Sequence, residues 1–155
     1  MERQRIFSVK ISEVTLTPAV ADTLIRMSEL WEAENITHGY RRNGLSDLEG
    51  NRIFLAEKDG DTVGYLFGKV EKTEKTSSVI PAGTTYFEIE ELYVLPEYRS
   101  LGIGRELFEF CEKEAKGAAD FIMLSTATKN SKAVLHFYLD EVGMEFWNAR
   151  LFKRI

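Results

Sequence analysis

The chain reads as one α/β domain built on a mixed sheet, with elements in the order β-α-α-β-β-β-α-β-α-β. Three observations predict it. Residues 85–95 form a long β-patterned run that ends at Pro96 and passes through a glycine turn into an amphipathic stretch over 102–116. Residues 121–125 are compact and apolar, as expected of a buried strand lying parallel to its predecessor through a βαβ crossover. Asp59-Gly60-Asp61 is a hairpin signal between two further apolar runs.

Taken in order, residues 6–11 alternate well enough to be a first strand. Pro18 stands where a helix can begin, with Thr17 as N-cap, and Leu24, Met27 and Trp31 supply an apolar stripe to about Glu34. Residues 35–50, with His38, Tyr40, Arg41 and Arg42, are mixed in character and make a second helical or loop segment. Strands follow over 52–57 and 62–71, then a mobile polar loop over 72–83. After the run at 121–125, residues 130–141 carry helical spacing and Gly143 ends that helix. Residues 144–155 complete the order as a terminal strand whose aromatics, Phe146, Trp147 and Phe152, are expected in the core.

Composition narrows the function. With 155 residues, 44% of them hydrophobic and 29% charged, the chain suits a single soluble domain that needs neither disulfides nor metals to bury a core. No apolar run approaches a membrane span and residues 1–10 alternate charge with apolar groups, so a cytoplasmic protein without membrane partners is expected. A single cysteine, Cys111, shares a helical stripe with Leu107 and Ala115 and reads as a small buried hydrophobe. With only His38 and His136 there is no metal-ligand spacing. The net charge of −5 argues against a nucleic-acid face and mildly favours cationic substrates such as amines.

The turn after residue 95 has the makings of a phosphate cradle. Gly102 and Gly104 let backbone approach a ligand, and the first amides of the following helix have no intrahelical acceptor. Those amides and the helix dipole favour a phosphate or pyrophosphate. There is no Gly-Lys-Ser/Thr triplet for a P-loop and no third glycine for a dinucleotide fingerprint, so the pattern is Arg99-x-x-Gly102-x-Gly104. Upstream, Glu88, Glu90 and Glu91 are costly on a central strand if buried, because desolvation and mutual repulsion disfavour their charges; a watered cleft, or an exposed strand start, would explain them.

The phrase ELYVLPEYRSLGIG resembles motif A of the GNAT acetyltransferase superfamily, and the element order resembles that family over nearly the whole chain. The resemblance implies a GNAT-like mixed sheet with helices on both faces, acetyl-CoA as co-substrate without a metal, and transfer of an acetyl group to a primary amine in a ternary complex. It implies CoA contacts from Leu92, Tyr93, Val94, Arg99, Ser100, Leu101, Gly102, Ile103, Gly104 and Arg105, and from Asn130 and Tyr138. In relatives with a glutamate base, that base lies eleven residues before the motif arginine, which falls on Glu88; Glu90 follows on the same side, and a bulge would bring in Glu91. The Leu92 amide would polarise the thioester carbonyl, Val94 would pair with the pantetheine arm, and Tyr138 would protonate the leaving thiolate.

The helix after the last parallel strand departs from the family pattern. Asn130 and Ala133 fit, but Phe137 stands at the usual tyrosine place, Tyr138 falls one later and Gly143 is displaced. A helix turns about 100° per residue, so Phe137 and Tyr138 cannot both face the thiol. Tyr138 in the site with Asn130 nearby is the expectation. The implied acceptor is a small-molecule amine or, alternatively, a protein N-terminus; a catalytically silent CoA-binding module is a further alternative. The aromatic terminal strand could also pair between protomers, making a homodimer.

Overall fold

The computed structural model describes residues 8–155. Among these, five strands form one sheet in the order β1-β2-β3-β4-β5: β1 (Lys10–Val14), β2 (Arg52–Lys58), β3 (Asp61–Lys72), β4 (Thr85–Val94) and β5 (Phe121–Met123). The first four pair antiparallel and β5 joins β4 in parallel. The first strand thus lies later than the 6–11 expected from alternation, and residues 6 and 7 of that expectation lie outside the described residues.

Helices cover both faces. On one, α1 (Pro18–Glu34) buries Ala21, Leu24 and Met27 together with Leu48 of the single-turn α2 (Leu45–Leu48) against Ile53, Leu55, Tyr65, Phe67 and Tyr93. Thr17 is the N-cap, its hydroxyl accepting from Val20 N at 3.2 Å, and Asn35 ends α1 in the left-handed region at φ 54°. On the other face, α3 (Ile103–Ala115) buries Ile103, Leu107, Phe108, Cys111 and Ala115 against Phe54, Leu66, Phe87 and Ile89. Cys111 has no exposed surface, and burial pushes its thiol up to about 12.

Several expectations are corrected. The loop over 72–83 is pinned by its own hydrogen bonds, such as Thr73 Oγ1 to Pro81 O at 2.7 Å, and by the buried Ile80. β5 is short and Phe121 on it is exposed, so it is not the buried five-residue strand its composition suggests. The helix at 130–141 divides into α4 (Ser131–Leu135) and a π-helical turn (His136–Glu141), closed by Val142 N donating to Phe137 O at 3.1 Å. That wider turn breaks the α-helical spacing over its length.

No strand forms over 144–155. Leu151 is 95% exposed and Phe152 75% exposed, where core positions were expected. A strand needs a partner, and three-residue β5 offers little edge to pair with. The segment instead touches the body through Trp147 Nε1, which donates to Ser78 Oγ at 2.9 Å, and through Phe152, whose ring stands edge-on to His38 at 5.5 Å.

Candidate active site

The sheet forks at Glu88. β4 pairs with β5 only at Tyr86, Phe87 and Glu88, and beyond that point the flank of β4 away from β3 has no neighbouring strand among the described residues. Strand amides alternate in direction, and Leu95 N donates to Val63 O of β3 at 2.9 Å. The amides of Leu92 and Val94 therefore point into the open fork, while that of Tyr93 points to β3.

The fork leads to the cradle. A short 3₁₀ turn (Pro96–Tyr98) is followed by Ser100 at φ 63° and Gly102 at φ 86°, both left-handed, and α3 starts at Ile103. Gly102 has no side chain to cap the helix, and Glu106 N donating to Gly102 O at 3.0 Å is the i to i−4 bond that opens it. The amides of Ile103, Gly104 and Arg105 are left for an acceptor outside the helix. A Cβ at Gly102 would meet no atom within 4 Å, so the glycine serves the backbone angle. At Gly104 a Cβ would touch the Phe137 ring at 3.5 Å.

The side chains of the cradle take separate parts. Ile103 is buried and anchors the helix, while Leu101 is exposed at the lip. Arg105 pairs with Glu109 at 2.7 Å on the helix surface. The Arg99 guanidinium is held by Glu34 at 2.7 and 2.8 Å. Asn130 stands at the N-cap position of α4 without a side-chain cap bond, and its backbone N–H donates to Thr128 Oγ1 at 3.0 Å.

The three glutamates have three environments because β4 is irregular. Phe67 pairs with Glu91 but Gly68 pairs with Ile89, so Glu90 is an extra residue at a bulge. A Cβ at Gly68 would overlap Glu88 O and lie 2.7 Å from the Phe87 ring, so only glycine lets β3 approach here. Glu90 is exposed. Glu88 is half-buried, and burial, then Glu90 and Glu71, raise its carboxyl to about 7. Glu91 Oε1 accepts from Tyr65 Oη at 2.8 Å and from Tyr40 Oη and Asn43 Nδ2 at 3.0 Å each. Burial raises its pKa too, against the lowering effect of these donors. A polar hollow of about 390 Å³ lies beside Glu90 and Glu91, lined also by Asn43, Asp47, Glu49 and Lys69.

Phe137, not Tyr138, lies against Gly104. Tyr138 packs edge-on to Phe108, with ring centroids 6.5 Å apart, and burial raises its hydroxyl to about 12. Sequence reasoning missed Glu34, Asn43 and Tyr65, whose partners lie 65, 48 and 26 positions away. It also missed Gly68, although a lone glycine inside a strand pattern signals a bulge or a close backbone approach.

Helices on both faces of a forked mixed sheet, with a glycine cradle at the mouth of the fork, define an acyltransferase-type fold. The profile described as the Acetyltransferase (GNAT) family matches residues 19–144, and the chain belongs to that family of acyltransferases. A relative named N-alpha-acetyltransferase from Sulfurisphaera tokodaii is 29% identical over 115 residues, 73% of this chain and 68% of that protein. Among solved structures, a mutant of the BH1408 protein of Bacillus halodurans superposes with TM-score 0.73 at 19% identity, covering 94% of this chain and 99% of its own. AAC(6')-Iy, solved with the bisubstrate analog CoA-S-monomethyl-acetylneamine, superposes with TM-score 0.62 at 15% identity, covering 96% and 99%. Among the described residues no helix is long and apolar enough to cross a membrane, and no three His, Cys, Asp or Glu are grouped to hold a metal ion.

Proposed function

We propose that this acyltransferase uses acetyl-CoA and moves the acetyl group directly to a primary amine held in the same cleft. One observation carries the reading: Glu88, with its carboxyl near 7, stands where β4 loses its partner, and the open flank of β4 runs from it to the cradle. The unbonded amides of α3 and the glycine backbone at Gly102 suit a pyrophosphate, and the open flank suits an amide-bearing arm added like a strand. The acetyl thioester supplies an activated acyl group.

The chain's own residues do the rest. Amides of Ile103, Gly104 and Arg105, with the turn at Ser100 and Leu101, hold the phosphates, and Arg99 contributes backbone only. Val94 binds the arm. The Leu92 amide faces the carbonyl and stabilises negative charge developing there. Glu88 takes a proton from the incoming ammonium, and near neutral pH it is ionised often enough to do so. Tyr138, kept protonated by burial, is the proposed donor to sulfur. Glu91 is a structural acceptor tied to three donors, and Glu90 shapes the field around Glu88.

The acceptor we favour is a small-molecule amine. The hollow beside Glu90 and Glu91 carries Asp47 and Glu49 against a single Lys69, so it attracts a cation. AAC(6')-Iy, solved with the bisubstrate analog CoA-S-monomethyl-acetylneamine, is in keeping with a small-molecule acceptor. A protein N-terminus is the second reading, favoured by the name of the Sulfurisphaera tokodaii relative. The cytoplasm is the proposed setting, and a homodimer is proposed through the exposed Leu151 and Phe152 rather than through strand pairing.

Calorimetric titration of acetyl-CoA into wild type and a Gly102→Glu, Gly104→Glu double variant tests the cofactor. Micromolar binding, about −8 kcal/mol, lost in the variant is expected. A panel of small amines and peptides of varied N-terminus then separates the acceptors. No binding by folded wild type would overturn the reading.

A further inference from the structure

Glu34 is the last residue of α1 and Arg99 the first after the 3₁₀ turn of the cradle, and they form a two-point ion pair. The same carboxylate accepts the Tyr93 hydroxyl. The third bonded nitrogen of Arg99, Nε, donates to Val94 O at 2.9 Å. Its guanidinium also lies over the Tyr93 ring, 5.3 Å from the centroid. The stack continues away from the cradle: Tyr93 lies 5.2 Å from Trp31 at 10°, and Trp31 lies 4.1 Å from Tyr40 at 14°. Tyr40 in turn donates to Glu91, beside the acceptor hollow.

We propose that Glu34 is a positioning residue: by gripping Arg99 and Tyr93 together, it sets where the amides at the start of α3 stand relative to the open flank of β4. The inference rests on the acetyl-CoA reading above. The first half of the loop is held by Tyr98, which packs on the core and whose N–H donates to Leu95 O at 2.9 Å, whereas the stretch from Arg99 to Gly102 has two left-handed residues and leads into α3 without a side-chain cap. A fork-to-fork guanidinium–carboxylate pair fixes orientation as well as distance. Burial pushes the Glu34 carboxyl up, but hydrogen bonds from Arg99 and Tyr93 outweigh it and hold the group below the usual carboxylate range. The clamp therefore stays charged at neutral pH. It spends the charge of Arg99 on Glu34 and leaves the phosphates to the amides.

The test is a double-mutant cycle on the full chain with Glu34→Ala, Arg99→Ala and both, reading acetyl-CoA affinity, KM, kcat and amide hydrogen exchange over residues 99–105. Glu34→Ala is expected to weaken acetyl-CoA binding about tenfold, raise its KM by a similar factor, change kcat less than twofold and speed exchange in that loop without ligand. The double variant should be no worse than the worse single. A merely structural role would lower stability but leave KM of the folded enzyme unmoved. Unchanged affinity and exchange, additive losses, or tighter binding through a freed Arg99 charge would each overturn the clamp alone. Failure of wild type to bind acetyl-CoA would overturn the cofactor reading and the clamp's role with it. Glu34→Gln, which keeps the shape, replaces the alanine variant if that does not fold.

Discussion

The hydroxyl of Tyr65 on β3 donates to Glu91 on β4 across 2.8 Å, and the Tyr65 side chain has no exposed surface. The carboxylate exists to be bonded there. Glu91→Ala should cost about 2–4 kcal/mol in urea unfolding, because three donors lose their acceptor and the hydroxyl of Tyr65 stays buried. Glu91→Gln should cost about 1 kcal/mol. A Glu91→Gln variant of full stability but lost kcat would move the residue into the chemistry.

As the proposed base, Glu88 is expected to set the pH dependence. Its carboxyl is raised to about 7, so kcat/KM should climb with pH to a plateau above that value, and Glu88→Gln should abolish the inflection while lowering turnover about 100-fold. Acetyl-CoA affinity should hardly change. The same shift acts on stability: the folded state holds the proton more tightly than the unfolded chain, so the charge is unfavourable once pH exceeds the folded value and harmless below the unfolded one. Stability should fall between about pH 4.5 and 7 by on the order of 1 kcal/mol after solvent screening, and Glu88→Gln should remove that fall. A rate profile with the inflection intact in Glu88→Gln would assign the base elsewhere.

Gly68 should tolerate nothing larger. A methyl there would overlap Glu88 O, so Gly68→Ala is expected to lose about 2–4 kcal/mol and to disturb the bulge that orients Glu88. Both effects can be read from one urea melt and one rate profile, and an alanine variant of wild-type stability would mean the strands separate more readily than the register implies.

Gly102 is a gentler case because space is open around it. Gly102→Ala should cost about 1 kcal/mol from the positive φ alone. Its effect on acetyl-CoA KM should exceed its effect on kcat, measured at saturating amine.

Tyr138→Phe keeps the ring packed on Phe108 and removes only the hydroxyl. A fall in kcat of about 10–100-fold, with unchanged acetyl-CoA affinity, is expected if the hydroxyl serves sulfur. Wild-type turnover would assign protonation to water.

Local signals carried much of the fold. Pro18 behind Thr17, the Asp59-Gly60 turn and the stripe of Leu107, Cys111 and Ala115 each act within a few residues, and each element formed close to where the pattern put it. The glycine turn was legible for the same reason: a positive φ at Gly102 and bare amides in the next turn are properties of contiguous chain.

What needed a distant partner was not legible. Residues 144–155 completed the expected element order as a strand, yet a strand requires an edge, and three-residue β5 offers little. Three glutamates in four positions looked alike in sequence, and the bulge, Asn43 and Tyr65 made one a structural acceptor and left another near neutrality. Arg99 belonged to the motif by spacing, but Glu34, 65 residues away, decided where its charge went. The amino-acid sequence alone determined backbone geometry, helical and strand faces and the glycine turn that opens α3, because those depend on near neighbours. Tertiary structure decided which carboxylate is free to take a proton, because pKa and orientation depend on groups that only folding brings together.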